Sequence, residues 1–80
     1  MSEKLLQRIS VDAKIMVGKP IIRGTRIPVE LILRMLAQGI PEGDILREHP
    51  RLQAEDIRAA LAYAAEVLAH EDVLPLTPPA

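Results

Sequence analysis

The spacing of apolar and polar positions along this chain changes twice, and each change marks an element. After a polar start, Ile9-Ser10-Val11-Asp12 alternates, and Ala13-Lys14-Ile15-Met16-Val17 follows as a second short apolar run. Alternation of this kind predicts one or two short strands with a turn near Asp12. The stretch Gly18 to Val29 then packs two glycines, two prolines, three cations and four β-branched apolar residues into consecutive positions. Ile21-Ile22-Arg23 and Thr25-Arg26-Ile27 read as two short extended runs hinged at Gly24, a residue free to take φ > 0. The plain reading of this stretch is a hairpin that closes the core. The sharper one is a cationic loop that meets an acidic partner.

From Val29 the period becomes helical. Val29, Ile32, Leu33 and Leu36 share one face, Pro28 suits the first helical position, and Gly39 is a natural residue just past the end. Glu30 lies in the first turn, where the helix dipole favours a carboxylate, and reaches Arg34 at i,i+4. A helix over 29–38 is predicted. Ile40-Pro41-Glu42-Gly43-Asp44 repeats the device and predicts a second helix over 41–49, stopped by Pro50. A third is predicted over 54–70, with Ala54, Ile57, Leu61, Ala64 and Leu68 as a seam spaced 3,4,3,4. Its many alanines suit helix propensity and leave surface that a second helix can approach closely. Residues 1–7 are expected to fray unless held by context. Residues 71–80, with Pro75, Pro78 and Pro79, are expected to be extended or disordered.

A hairpin over 8–28 followed by three closely connected helices outlines one domain at 8–70. The fold class expected is mostly α: a tri-helical, homeodomain-like helix-turn-helix domain with a short N-terminal β-hairpin arm. Eighty residues bury only about 60–65% of their unfolded surface, so self-association is expected to help. Tyr63 is the single aromatic residue, and half of the chain is apolar. The core must therefore be aliphatic, and binding of single strands by base stacking is excluded. There is no cysteine, hence no disulfide, thiolate metal site or thiol nucleophile. No apolar run approaches the length of a membrane span and Met1-Ser2-Glu3-Lys4 does not open a signal peptide, so a cytoplasmic location is expected. The net charge of −1 divides unevenly, with residues 1–40 at +4 and residues 41–80 at −5. Such bipolarity suits head-to-tail association or two different partners.

At this point a resemblance can be read from the motifs. Gly18-Lys19-Pro20-x-Ile22-x-Gly24-Thr25-Arg26-Ile27-x-Val29, the Leu-rich helix closed by Gly39, and Ile45-Leu46…His49-Pro50-x-Leu52-x-x-Glu55-Asp56-Ile57-x-Ala59-Ala60-Leu61-x-Tyr63-Ala64 resemble the bacterial family called domain of unknown function 433. The match covers about residues 8–70. It implies a homeodomain-like helix-turn-helix fold, often dimeric, and the antitoxin half of a type II toxin–antitoxin pair whose partner is commonly a PIN-like nuclease. Two departures bear on helix starts. Ile40-Pro41 and Gln53 stand where the family usually has Ser or Thr, which weakens each N-cap by about 1 kcal/mol.

In a helix-turn-helix domain the last helix leads into the major groove. Here it begins Gln53-Ala54-Glu55-Asp56, and two carboxylates facing phosphates would be repelled. Lys14, Lys19, Arg23 and Arg26 on the hairpin, with Arg58 on the early turns of the third helix, are the candidate contacts to promoter DNA, reached from a dimer. Neutralisation of a PIN-like nuclease, whose metal is held by clustered carboxylates, favours guanidinium groups that compete with the cation. Arg23 and Arg26 are the candidate plugs, and Val73, Leu74 and Leu76 in the tail are a further candidate contact. Arg26 pairing internally with Asp12 or Glu30 is an equal expectation. Catalysis is not expected. His49 and His70 end different helices and lack a helical metal-pair spacing, and Ser10 has no nearby base. No cofactor, metal or small-molecule substrate is expected. The alternative to the antitoxin is a small dimeric structural or adaptor module that does not bind DNA.

Overall fold

Five β-branched side chains, Ile21, Ile22, Ile32, Ile45 and Ile57, form the most deeply buried part of the protein, with Ile9, Val29, Met35, Leu52 and the small Ala59 and Ala60 filling between them. The elements around them were traced in a computed structural model that describes residues 3–70. In chain order they are α1 (Glu3–Leu6), β1 (Ile9–Ser10), a 3-10 turn (Met16–Gly18), β2 (Ile21–Ile22), α2 (Val29–Ala37), α3 (Glu42–Glu48) and α4 (Ala54–Ala69). The fold is mostly helical with a small antiparallel hairpin near the N-terminus, as expected. The long α4 is the spine, touching α1, α2, α3 and β1.

The hairpin differs in detail from the pattern-based expectation. Ile9 pairs with Ile22 and Ser10 with Ile21, so β2 takes its partner from upstream across residues 11–20. Ala13–Val17 is not a strand: Asp12 Oδ1 accepts from the Lys14 N–H at 2.8 Å, and the chain coils into the 3-10 turn. That Asx turn is a local alternative to a ladder. On the downstream side, Thr25-Arg26-Ile27 does not form a strand. It is tied to β2 as a turn, by the Ile22 N–H to Ile27 carbonyl bond (3.0 Å), the Thr25 N–H to Ile22 carbonyl bond (3.0 Å) and an Ile21–Pro28 bridge.

Val17 is the one described non-glycine residue with positive φ, at 56°, and it is 94% exposed. A β-branched residue in this region pays about 1–2 kcal/mol of steric strain, and here no burial offsets it. Val17→Gly is therefore expected to raise stability by about 0.5–1 kcal/mol, less than the whole strain because glycine also frees the unfolded chain. Chemical denaturation reads this directly, and a loss of stability would refute the strained conformation.

Helix ends match their chemistry closely: α2 and α4 start where expected and end one residue earlier, and α3 lies one residue inside the expected range at both ends. Pro28 and Pro41 act as N-caps of α2 and α3 and lie just before the helices. α2 ends in a full Schellman motif: Gly39, at φ +83°, donates to the Leu36 carbonyl, and Ile40 donates to that of Met35. Residues 3–6 are helical and not frayed, because Leu5 packs on the core and α1 lies against α4. On α4 the predicted seam is corrected. Ala54 is exposed, Leu61 is 49% exposed and Leu68 60%, while Asp56, Ile57, Ala59, Ala60 and Ala62 are buried. Small alanines let α1 and α2 approach closely, so the buried face is the alanine face.

Candidate cationic interface

Arg23 follows β2, and its backbone N–H donates to the Arg8 carbonyl at 2.7 Å. Its guanidinium curls back to the end of α1: Nε donates to the Gln7 carbonyl at 2.7 Å, and Nη2 to the Ile9 carbonyl at 3.1 Å. A cation at a helix C-terminus satisfies orphan carbonyls and suits the dipole. Arg23 thus ties α1 to the hairpin, and only part of its donor fork remains for a ligand.

Three residues later the situation is opposite. Gly24, at φ +83°, turns the chain, and the Thr25 hydroxyl clamps the turn by donating to the Ile22 carbonyl (2.7 Å) and accepting from the Ile27 N–H (3.0 Å). Arg26 sits exposed inside this braced turn, with no hydrogen-bond or ion-pair partner among the described residues. The internal pairs expected for it do not form. Glu30 is held by Arg34 (2.7 Å) and Lys19 (3.3 Å), and Asp12 by the Lys14 backbone. The Arg34 guanidinium, joined by Lys19, holds the Glu30 carboxyl below the usual carboxylate range. Lys19 is therefore already paired, while Lys14 and Arg58 are exposed cations on separate elements. Val73, Leu74 and Leu76 lie outside the described residues.

Asp56 overturns the expectation that it faces a ligand groove. It is 4% exposed, and its carboxylate accepts from Arg8 Nη1 at 2.9 Å and from the Gln53 N–H at 2.8 Å. The second bond replaces part of the cap that Gln53 was expected to lack. Only Glu55 of the two acids faces solvent at the start of α4.

Around that pair lies a polar cavity of about 340 Å³, walled by Lys4 of α1, Gln7 and Arg8 just after it, Arg23, and Arg51 and Gln53 from the turn before α4. Four cations from four places in the chain meet one carboxylate that is already engaged. Lys4, Arg8 and Arg51 were not among the residues singled out from the sequence. They are separated by up to 47 positions and form no local motif. A second depression, about 350 Å³ and apolar except for Glu30, runs between α2 and the end of α4, lined by Val29, Leu33, Tyr63, Val67 and Leu68. Tyr63 is half-buried there. Among the described residues no helix is long and apolar enough to cross a membrane.

Comparison with known proteins gives the chain its relatives. A crystal structure of a DUF433 member protein from Anabaena variabilis superposes with a TM-score of 0.72 at 29% identity, covering 86% of this chain and 79% of that one. An uncharacterized protein of Archaeoglobus fulgidus is 57% identical over 30 residues, 38% of this chain and 83% of that protein. The uncharacterized protein y4eO of Sinorhizobium fredii is 42% identical over 56 residues, which is 70% of this chain but 25% of y4eO. The model of the family described as protein of unknown function (DUF433) matches residues 9–64, from β1 to the middle of α4, and the chain belongs to that family.

Proposed function

We propose that the protein is the antitoxin of a type II toxin–antitoxin pair, working in the cytoplasm as a homodimer. It binds and silences a PIN-like nuclease toxin and, alone or with the toxin, binds its own promoter DNA. The observation that carries this reading is Arg26, a guanidinium without a partner among the described residues, on a turn braced by Thr25. A group held in place before binding loses less conformational entropy on docking. A guanidinium matches a carboxylate cluster bidentately, so it suits an acidic metal site. The helix-turn-helix outline and the exposed Lys14 and Arg58 support the DNA half of the reading.

The test is co-expression with the neighbouring gene and purification through a tag on this chain. A stoichiometric complex that silences an RNase is expected. Within it, Arg26→Ala should weaken toxin binding at least tenfold, the scale of losing a central interfacial arginine, and leave the melting temperature unchanged. Elution of a bare homodimer beside a harmless neighbour would favour the other reading, a structural or adaptor module. The apolar groove between α2 and α4 is the feature that supports that second reading.

A further inference from the structure

We propose that the cavity at the start of α4 is a phosphate-binding site; it does not rest on toxin binding, and with a phosphodiester as occupant it deepens the DNA half of the reading above. Two of its cations are fixed in orientation. Arg23 is held by the Gln7 and Ile9 carbonyls and Arg8 by Asp56, and neither guanidinium uses all of its N–H groups in those bonds. The other two, Lys4 and Arg51, are exposed and have no ion-pair or hydrogen-bond partner among the described residues. Fixed donors with mobile cations beside them suit a compact, multiply charged oxyanion, whose several oxygens accept from different sides at once. The sole carboxylate in the wall, Asp56, has its oxygens committed to Arg8 and the Gln53 N–H, so the lining carries a net charge of +3.

The class of ligand follows from charge and size. An aromatic or apolar ligand finds no partner, because the wall is made of Lys, Arg, Gln and Asp side chains. A lone carboxylate brings one charge and two oxygens in a single plane, a poor match for a +3 lining whose cations approach from several sides. A phosphate group has oxygens enough for three or four. It can arrive as a free phosphate ester or as a phosphodiester of a nucleic acid docked at the leading end of α4. Glu55, exposed beside the site, disfavours deeper approach to base edges, so contact from a nucleic acid is confined to its backbone.

The experiment follows the arginine Nε–H resonances of the full chain while inorganic phosphate is added at constant ionic strength. The Arg23 and Arg51 signals should move along one saturable curve. Lys4→Gln and Arg51→Gln, both exposed and without structural bonds, should each weaken that binding roughly tenfold, the scale of one charge-assisted hydrogen bond. Arg58→Gln should leave it unchanged. Displacement of phosphate by a duplex of arbitrary sequence would support the site and make the phosphodiester its occupant. Displacement by a 5′-nucleotide and not by the duplex would support the site and make a free phosphate ester its occupant. Equal shifts from chloride, or unchanged binding in both Lys4→Gln and Arg51→Gln, would overturn it.

Discussion

Replacing Ile57 by alanine is expected to remove about 3–4 kcal/mol of folding stability, the range for emptying a fully buried aliphatic site that cannot collapse. Ile57 has no exposed surface and stands on α4, where that helix meets the other elements. The core has no Phe or Trp to absorb the space, because the chain contains neither. The buried cluster that holds Ile57 is largely β-branched (Ile9, Ile22, Val29, Ile32, Ile45), and stiff χ1 angles resist swinging into a void. A small domain has only about 5–10 kcal/mol to lose, so the variant should sit near the edge of the folded state at 37 °C. Urea denaturation checks the magnitude, with Leu68→Ala as the contrast. Leu68 is 60% exposed, and its truncation should change stability by no more than about 0.5 kcal/mol. Comparable losses in the two variants would mean that the buried face of α4 has been misassigned.

That contrast also shows which parts of the fold were legible in the sequence and which were not. Helix positions and ends were legible because they rest on local chemistry: Pro28 and Pro41 before helices, Gly39 after one, and Glu30 four residues before Arg34. The face of α4 was not. With alanine at 59, 60, 62, 64 and 65, a helix has two candidate apolar stripes, and hydrophobicity favours the one with larger residues, Leu61 and Leu68. Packing chose the other, since close approach of α1 and α2 rewards small side chains over large ones. The strand partner of β2 was hidden for a related reason. Gly24 signals a turn to its own neighbours, whereas the pairing of Ile9 with Ile22 depends on how residues 11–20 coil.

The candidate site was read in the same uneven way. Arg26 stands out in the sequence because its motif is contiguous, and it lies on a braced, exposed turn. Arg23, taken from the same motif, is largely committed to the carbonyls at the end of α1, so substituting it would confuse a loss of binding with a loss of structure. Lys4, Arg8 and Arg51 converge only through the packing of α1 against α4. No spacing rule reaches across that distance in sequence.

Asp56→Ala is expected to cost about 2–3 kcal/mol, and it probes the one buried ionic pair among the described residues. The carboxylate serves two ends at once, an arginine 48 positions away and the N–H at the start of its own helix. Removing one partner of a buried pair typically costs about 3–5 kcal/mol, because a charge is left without compensation. The lower value applies because the Arg8 side chain is 34% exposed and recovers water when its partner goes. Arg8→Ala should be at least as damaging, for it strands a carboxylate whose side chain is 6% exposed. In a double-mutant cycle the combined loss should fall short of the sum of the single losses by more than about 1 kcal/mol. Additive losses would mean that the two residues act separately, Asp56 as a cap and Arg8 by packing alone. Asp56→Asn separates stability from ligand binding. It keeps an acceptor near the Gln53 N–H, so it should cost less than alanine. It also removes the negative charge from the cavity wall, so phosphate affinity should rise while stability falls.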